Sequence, residues 1–324
     1  MTDFKQFLRV RRLTVFKTGT YTQLMTLRRL VVAAMALSTL PLTAQTQANL
    51  HSMYVSVVDE SGAPVPGLGP SDFLVREDNT AREVLRVGPA DEPMTIALLV
   101  DTSRTARNDI AHMRTALPPF VAALTAKGEG ERRNQVAIIG FGERPTILAD
   151  YSIEPKLLQK GIDRIWTTPG SGPYFLDAIN ETCQGFKKRE VTRPVIVGIV
   201  AEGEELSYQS HEQVIERLLG VHAPLYAVML GTPYSGLSDE SRSRQMVLDR
   251  GVDLSGGARD QLLASMALES RLKLLANQLT HQYLVTYSRP ESLIPPERIT
   301  VSAKRQGLTA RGVAVRDRAE RPRP

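Results

Sequence analysis

One apolar run, Met94-Thr95-Ile96-Ala97-Leu98-Leu99-Val100, passes directly into Asp101-Thr102-Ser103-Arg104-Thr105. The run is too continuous for a strand with one wet face and suits a central parallel strand covered by helices on both sides. In open sheets of that kind, ligands collect at the carboxyl ends of the strands. Here that end carries a carboxylate and hydroxyls at alternate positions, all oxygen donors of the type that hard cations prefer. An extended turn puts Asp101, Ser103 and Thr105 on one side, so the tip of the strand is expected to face outward as a docking surface.

The rest of the chain supports this setting. Apolar runs at Thr95–Val100, Gln135–Phe141, Val195–Val200 and Leu225–Leu230 alternate with helical patterns, which predicts βαβ crossovers and a doubly wound, mostly parallel α/β sheet. The helical patterns are Ile110 to Leu124, Leu157 to Ile165, Phe175 to Phe186, Val214 to Leu219, and a fifth from about Asp260 to Leu279. Pro118-Pro119 are expected to kink or split the first of these. Gly231–Ser243, rich in Gly, Pro and Ser, reads as a loop at the ligand-bearing end that shapes recognition. The flanks are different. Short alternating segments at His51–Val58, Phe73–Glu77 and Val84–Val87, and again at Tyr283–Ser288, Arg298–Ala303 and Ala310–Val315, read as β-strands. Neither flank buries enough surface alone, so the two are expected to pack together as one small β module. The resulting division is a leader (1–48), an N-terminal β segment (49–92), an α/β domain (93–281), a C-terminal β segment (282–315) and a charged, disordered tail (316–324).

The net charge of +5 belongs to the leader. Residues 1–48 hold seven of the 40 basic residues and one of the 35 acidic ones, which leaves 33 against 34 in the remainder. Nothing there calls for nucleic acid or another polyanion. In the leader, Arg28-Arg29, the apolar Leu30–Leu37 and the small residues Ala44 to Ala48 follow the order of a secretory signal, too short for a comfortable span. Met25 would begin a signal of normal proportions. The reading is export to the periplasm or beyond with no stable membrane span after cleavage; an uncleaved anchor is the alternative. Cys183, the single cysteine, falls on the apolar face of the third helix and reads as core. No Cys/His grouping has zinc spacing.

In order and motif, residues 50–315 resemble the exported von Willebrand factor A-related family first noted in acidobacteria. The resemblance rests on Val57-Val58-Asp59-Glu60-Ser61-Gly62, Val65-Pro66-Gly67-Leu68 and Asp72-Phe73-Leu74-Val75-Arg76-Glu77-Asp78 before the α/β domain, on Asp101-x-Ser103-x-Thr105 within it, and on Gln282-Tyr283-Leu284-Val285-Thr286-Tyr287 after it. It implies a von Willebrand factor type A (VWA) domain and a metal-ion-dependent adhesion site (MIDAS) built from three loops. The first loop matches. In the second, Gly170-Ser171-Gly172-Pro173-Tyr174, Pro173 stands where the resemblance expects Thr. In the third, Val200-Ala201-Glu202-Gly203-Glu204, Glu202 stands where it expects Asp. Magnesium wants near-octahedral oxygens at about 2.1 Å, so the site is partly degenerate. The implied ligands are Asp101, Ser103, Thr105 and Glu202 around magnesium, or calcium or manganese, with Ser171, Tyr174 and Glu204 toward a partner. A protein ligand would complete the cation's shell with an acidic side chain.

Other chemistry lacks its signatures. There is no G-x-G-x-x-G after the first strand, no P-loop and no G-x-S-x-G elbow. His51, His112, His211, His222 and His281 are scattered. Three readings stand: a non-enzymatic binding protein using a MIDAS-like site, a metal-free structural or interaction scaffold, and a periplasmic hydrolase using Ser103. Trp166 is expected to pack on the sheet or touch a partner. Glu202, Glu204 and Glu205 read as a solvated acidic face or a calcium site.

Overall fold

The computed structural model describes residues 49–126, 133–290 and 296–316. The expected leader with its export signal, the Met25 start and the tail from 317 onward lie outside the described residues. The first four strands are β1 (Asn49–Val58), β2 (Phe73–Glu77), β3 (Thr80–Arg82) and β4 (Val84–Pro89). The α/β part follows as β5 (Thr95–Val100), α1 (Ile110–Thr125), β6 (Gln135–Gly140), β7 (Thr146–Ser152), α2 (Pro155–Asp163), α3 (Phe175–Lys188), β8 (Pro194–Ala201), α4 (His211–Gly220), β9 (Leu225–Leu230), α5 (Asp239–Met246), β10 (Ala258–Leu262) and α6 (Leu268–Thr280). β11 (Tyr283–Arg289), β12 (Ile299–Ala303) and β13 (Thr309–Ala314) complete the chain. Among the described residues no helix is long and apolar enough to cross a membrane.

The central sheet has the order β10-β9-β8-β5-β6-β7, parallel except for β7. Alternation along β5 explains its two-sided cover. Ile96, Leu98 and Val100 join one core with α1, α2 and α6, while Ala97 and Leu99 join another with α3, α4 and the helical turns that follow α5, through Val247, Leu248 and Val252. Every residue of β8 and β9 is buried as well. Each Leu, Ile or Val so buried contributes about 1.5–3 kcal/mol, which offsets the cost of ordering the strands. β5 leads into α1 on one face and β8 into α4 on the other, so the chain diverges between these neighbours and leaves a crevice at their carboxyl ends, as at other topological switch points.

The flanking strands form two antiparallel sheets, β13-β1-β11-β4 and β12-β2-β3. Met53, Val55 and Val57 of β1, Phe73 and Val75 of β2, and Val285 and Tyr287 of β11 share one core between them. This module lies near the amino ends of β5 and β8. Arg193, just before β8, donates to Ala90 O at 2.9 Å and Gln282 Oε1 at 2.6 Å, and its guanidinium lies 4.3 Å from the centre of the Tyr54 ring.

Four local expectations change. Pro118 and Pro119 lie inside one continuous helix, α1, whose Met113, Leu117, Phe120, Val121 and Leu124 are all held in the core; packing outweighs the proline cost there. The helix expected from Asp260 starts only at Leu268, and Ala258–Leu262 is instead a parallel edge strand. Gly256 ends the preceding helical segment with φ of 80°, the usual role of glycine after a helix. A Cβ on Gly257 would lie 1.9 Å from Leu225 O, so the strand begins where only glycine fits. The Gly231–Ser243 loop is shorter than expected, because Ser238 accepts from Ser241 N and starts α5 at Asp239. β7 was not foreseen.

Candidate functional site

The crevice between β5 and β8 holds the first and third loops together. Asp101 N donates to Ile199 O at 3.0 Å, extending the ladder one residue past β5. Its side chain then turns inward. Oδ1 accepts from Ser103 N at 2.8 Å and Oδ2 from Ala201 N at 3.1 Å, so one carboxylate ties the two strand ends. Burial pushes this carboxyl up to about 6, against the pull of the two amides and of the Arg244 guanidinium. Asp101 and Ser103 are both fully buried, which corrects the expectation that they face outward: the carboxylate satisfies backbone amides that the loop would otherwise leave unpaired. Thr102 Oγ1 accepts from Gly142 N at 2.8 Å. Of the three first-loop residues only Thr105 is exposed. It lies against Gly203, where a Cβ would come within 2.5 Å of its Cγ2.

The second loop joins through its backbone. Arg104 N donates to Ser171 O at 3.3 Å, and Thr168 N to Thr102 O at 2.9 Å. Ser171 Oγ donates to Thr168 O at 2.7 Å, inside its own loop. Pro173 is buried, and its carbonyl accepts from Leu206 N at 2.9 Å. Tyr174 is half-buried, its ring 6.1 Å from that of Tyr208.

The third loop departs furthest from expectation. Glu202 Oε2 accepts from Tyr234 N at 3.1 Å and from Arg244 Nη2 at 3.3 Å, and Arg259 lies 3.9 Å from Oε1. Glu205 is fully buried, not part of a solvated face. Its Oε1 accepts from Phe175 N at 2.9 Å and Ser207 Oγ at 2.6 Å, so it caps the amino end of α3 from a distance. Burial pushes its carboxyl up to about 7. Glu204 alone of the three acids is exposed. The cation among them is Arg244 of α5, 1% exposed, a residue that nothing in its polar helix Asp239–Met246 marked for burial.

These donors fall short of a magnesium shell. Each Asp101 oxygen already accepts one backbone amide, Ser171 Oγ is engaged in its own loop, Pro173 has no hydroxyl, Thr105 is exposed, and Glu202 Oε2 is paired with a guanidinium. Among the expected ligands, only Ser103 Oγ and Glu202 Oε1 are buried without a hydrogen-bond partner. Ser103 Oγ has no histidine within hydrogen-bond reach, and His211, His222 and His281 are engaged with Glu212, Ala314 O and Asn277 O. Cys183 is buried, its thiol pushed up to about 12 by burial.

Around this buried cluster the loops expose large side chains. Tyr208 is 87%, Leu237 84% and Met266 78% exposed, with Leu206, Tyr234 and Leu263 beside them in sequence. All follow the carboxyl ends of β8, β9 or β10. Tyr234 and Leu237 lie in the expected recognition loop. Trp166 does not pack on the sheet: it is exposed, with the Arg114 guanidinium 4.4 Å from its ring centre.

No family model and no curated protein matches the chain. Solved structures to which it is similar include a von Willebrand factor type A protein from Catenulispora acidiphila (8% identity, 84% of this chain and 75% of that one, TM-score 0.48). Another is proximal thread matrix protein 1 from the mussel byssus (16% identity, 66% of this chain, TM-score 0.46), of which the chain spans half the length. A third is the vWF domain of the type V pili tip protein Mfa5 from Porphyromonas gingivalis (7% identity, 58% of this chain and 95% of that one, TM-score 0.42).

Proposed function

We propose that this chain is an exported VWA-type protein that binds another protein through the loops at the carboxyl ends of its parallel strands, without catalysis of its own. The observation that carries this reading is that the four most exposed large apolar or aromatic side chains among the described residues, Tyr208, Leu237, Leu263 and Met266, all follow carboxyl ends of β8, β9 or β10. With Tyr234 they sit on loops at one end of the sheet, whereas the β module is tied to the other end through Arg193. Clustered exposed apolar residues mark interaction sites, and tyrosine is enriched where binding energy concentrates. Loops on a rigid scaffold suit recognition. Export rests on the signal-like order of the leader. The absence of a base near Ser103 and of phosphate-binding glycine motifs favours binding over hydrolysis.

A photo-crosslinking amino acid at Tyr208 or Leu237, compared with one at Leu85 in the β module, tests the surface in cells producing the full chain. The expected result is one discrete crosslinked protein from the first two positions, competed by excess unmodified chain, and none from Leu85. Equal crosslinking from all three positions, or none from any, would overturn the reading.

A further inference from the structure

Five buried polar atoms without a well-formed hydrogen bond belong to one group at the ends of β5 and β8: Ser103 Oγ, Glu202 Oε1, Glu205 Oε2, and Nε and Nη1 of Arg244. Three carboxyl groups, Asp101, Glu202 and Glu205, are withdrawn from water here, and a buried carboxyl stays ionised only beside a compensating cation or hydrogen-bond donors, taking up a proton otherwise. Arg244 pairs with Glu202 and acts on the other two through its charge, while Arg259, 3.9 Å from Glu202 Oε1, is a second and more exposed cation at the edge. Arg244 Nη2 is 3.3 Å from Glu202 Oε2, and the charge of Arg244 favours the ionised forms of both Asp101 and Glu205. Ser241, one turn earlier on α5, accepts from Glu205 N at 3.4 Å and holds the helix against the third loop.

We propose that the Arg244 guanidinium is the resident cation of this site, standing where a divalent ion would otherwise neutralise the acids, so that the native chain does not take up magnesium or manganese there. A guanidinium is permanently charged and weakly hydrated for a cation, so its burial among carboxylates makes the site independent of ion supply. Incomplete pairing leaves the acids able to accept another cation once the guanidinium is gone. The inference concerns the buried cluster and does not depend on which protein the outer loops bind.

The test is titration of manganese and magnesium into the full chain, its Arg244→Met and Arg244→Lys variants and the Asp101→Ala, Arg244→Met double variant, by calorimetry and by thermal melting with and without chelator. The native chain and Arg244→Lys are expected to show no saturable heat and a melting temperature unchanged by chelator. Arg244→Met is expected to melt lower, to recover several degrees with manganese, and to lose that recovery in the double variant. Saturable manganese or magnesium binding to the native chain that Asp101→Ala abolishes would overturn the proposal. So would an Arg244→Met chain that melts with the native one and ignores manganese. If Arg244→Met does not fold, the native and Arg244→Lys titrations still decide.

Discussion

Two buried clusters of acid and arginine lie at opposite parts of the molecule, and they are balanced in opposite senses. In the β module one acid, Glu77, sits among cations and donors: Arg82 at 2.8 Å, Arg289 at 3.6 Å and Tyr287 Oη at 3.1 Å. At the end of the central sheet Arg244 is buried among three acids, with Arg259 3.9 Å from Glu202 Oε1 at the edge, and several of their polar atoms lack hydrogen-bond partners. The first arrangement is closed and holds strands β2, β3 and β11 in register. The second is under-satisfied, with carboxyls at Asp101 and Glu205 raised by burial. A fully paired buried network rigidifies its surroundings, whereas each unpaired buried polar group carries a cost in a medium of low dielectric.

The sharpest way to break this contrast is to remove each cluster's minority member. Arg244→Met removes the buried cation beside Asp101, Glu202 and Glu205, leaving only Arg259 near Glu202, and is expected to cost about 3–5 kcal/mol near neutral pH, measured by urea unfolding. Acid should lessen the loss. Asp101 and Glu205 have folded values raised to about 6 and about 7, so the folded state binds more protons than the unfolded chain. Their contribution is present below the unfolded carboxylate range and is lost as pH rises from about 4 through 7. Unfolding curves at pH 5 and pH 8 should therefore show the native chain more stable at the lower pH for these two groups, with a shallower slope in Asp101→Asn.

Glu77→Gln should cost less, about 1–3 kcal/mol, because Arg82 and Arg289 keep some access to water. Manganese should not restore it, and recovery would erase the distinction between the clusters. A smaller steric effect is expected at the crevice. Gly203→Ala drives a methyl against Thr105 Cγ2, at a cost of about 1–3 kcal/mol. Thr105→Ser removes that methyl and should relieve much of the cost in a double-mutant cycle; simple additivity would mean the two do not touch. The smallest stability change belongs to the outer loops: Tyr208→Ala should stay within about 0.5 kcal/mol while reducing partner crosslinking from Leu237.

Much of the fold was legible because hydrophobic period is local. The four long apolar runs became β5, β6, β8 and β9, and the spacing of Phe175, Leu176, Ile179, Cys183 and Phe186 became α3. Errors fell where local pattern and tertiary demand part. Leu262, Leu263 and Met266 mimic a helical stripe, yet Leu262 ends an edge strand, Leu263 is exposed just after it and Met266 is exposed on a single 3-10 turn, Ser265–Ala267. Within the site, the identity of Asp101, Ser103, Pro173 and Glu202 signalled a strand-end cluster with a defective donor set. Their orientation was not legible. Asp101 turns inward because the Ser103 and Ala201 amides reach it first.

The chain's own pattern determined an alternating α/β sheet whose carboxyl ends carry oxygen-rich loops, since burial period and turn chemistry are written within a few residues of one another. Only the tertiary structure decided that Arg244, 143 positions after Asp101, enters the same buried space, and that Glu205 caps a helix thirty residues upstream. Charge compensation acts through space between elements that sequence leaves far apart, and a buried arginine on a polar helix gives no local sign of the carboxylates it will meet.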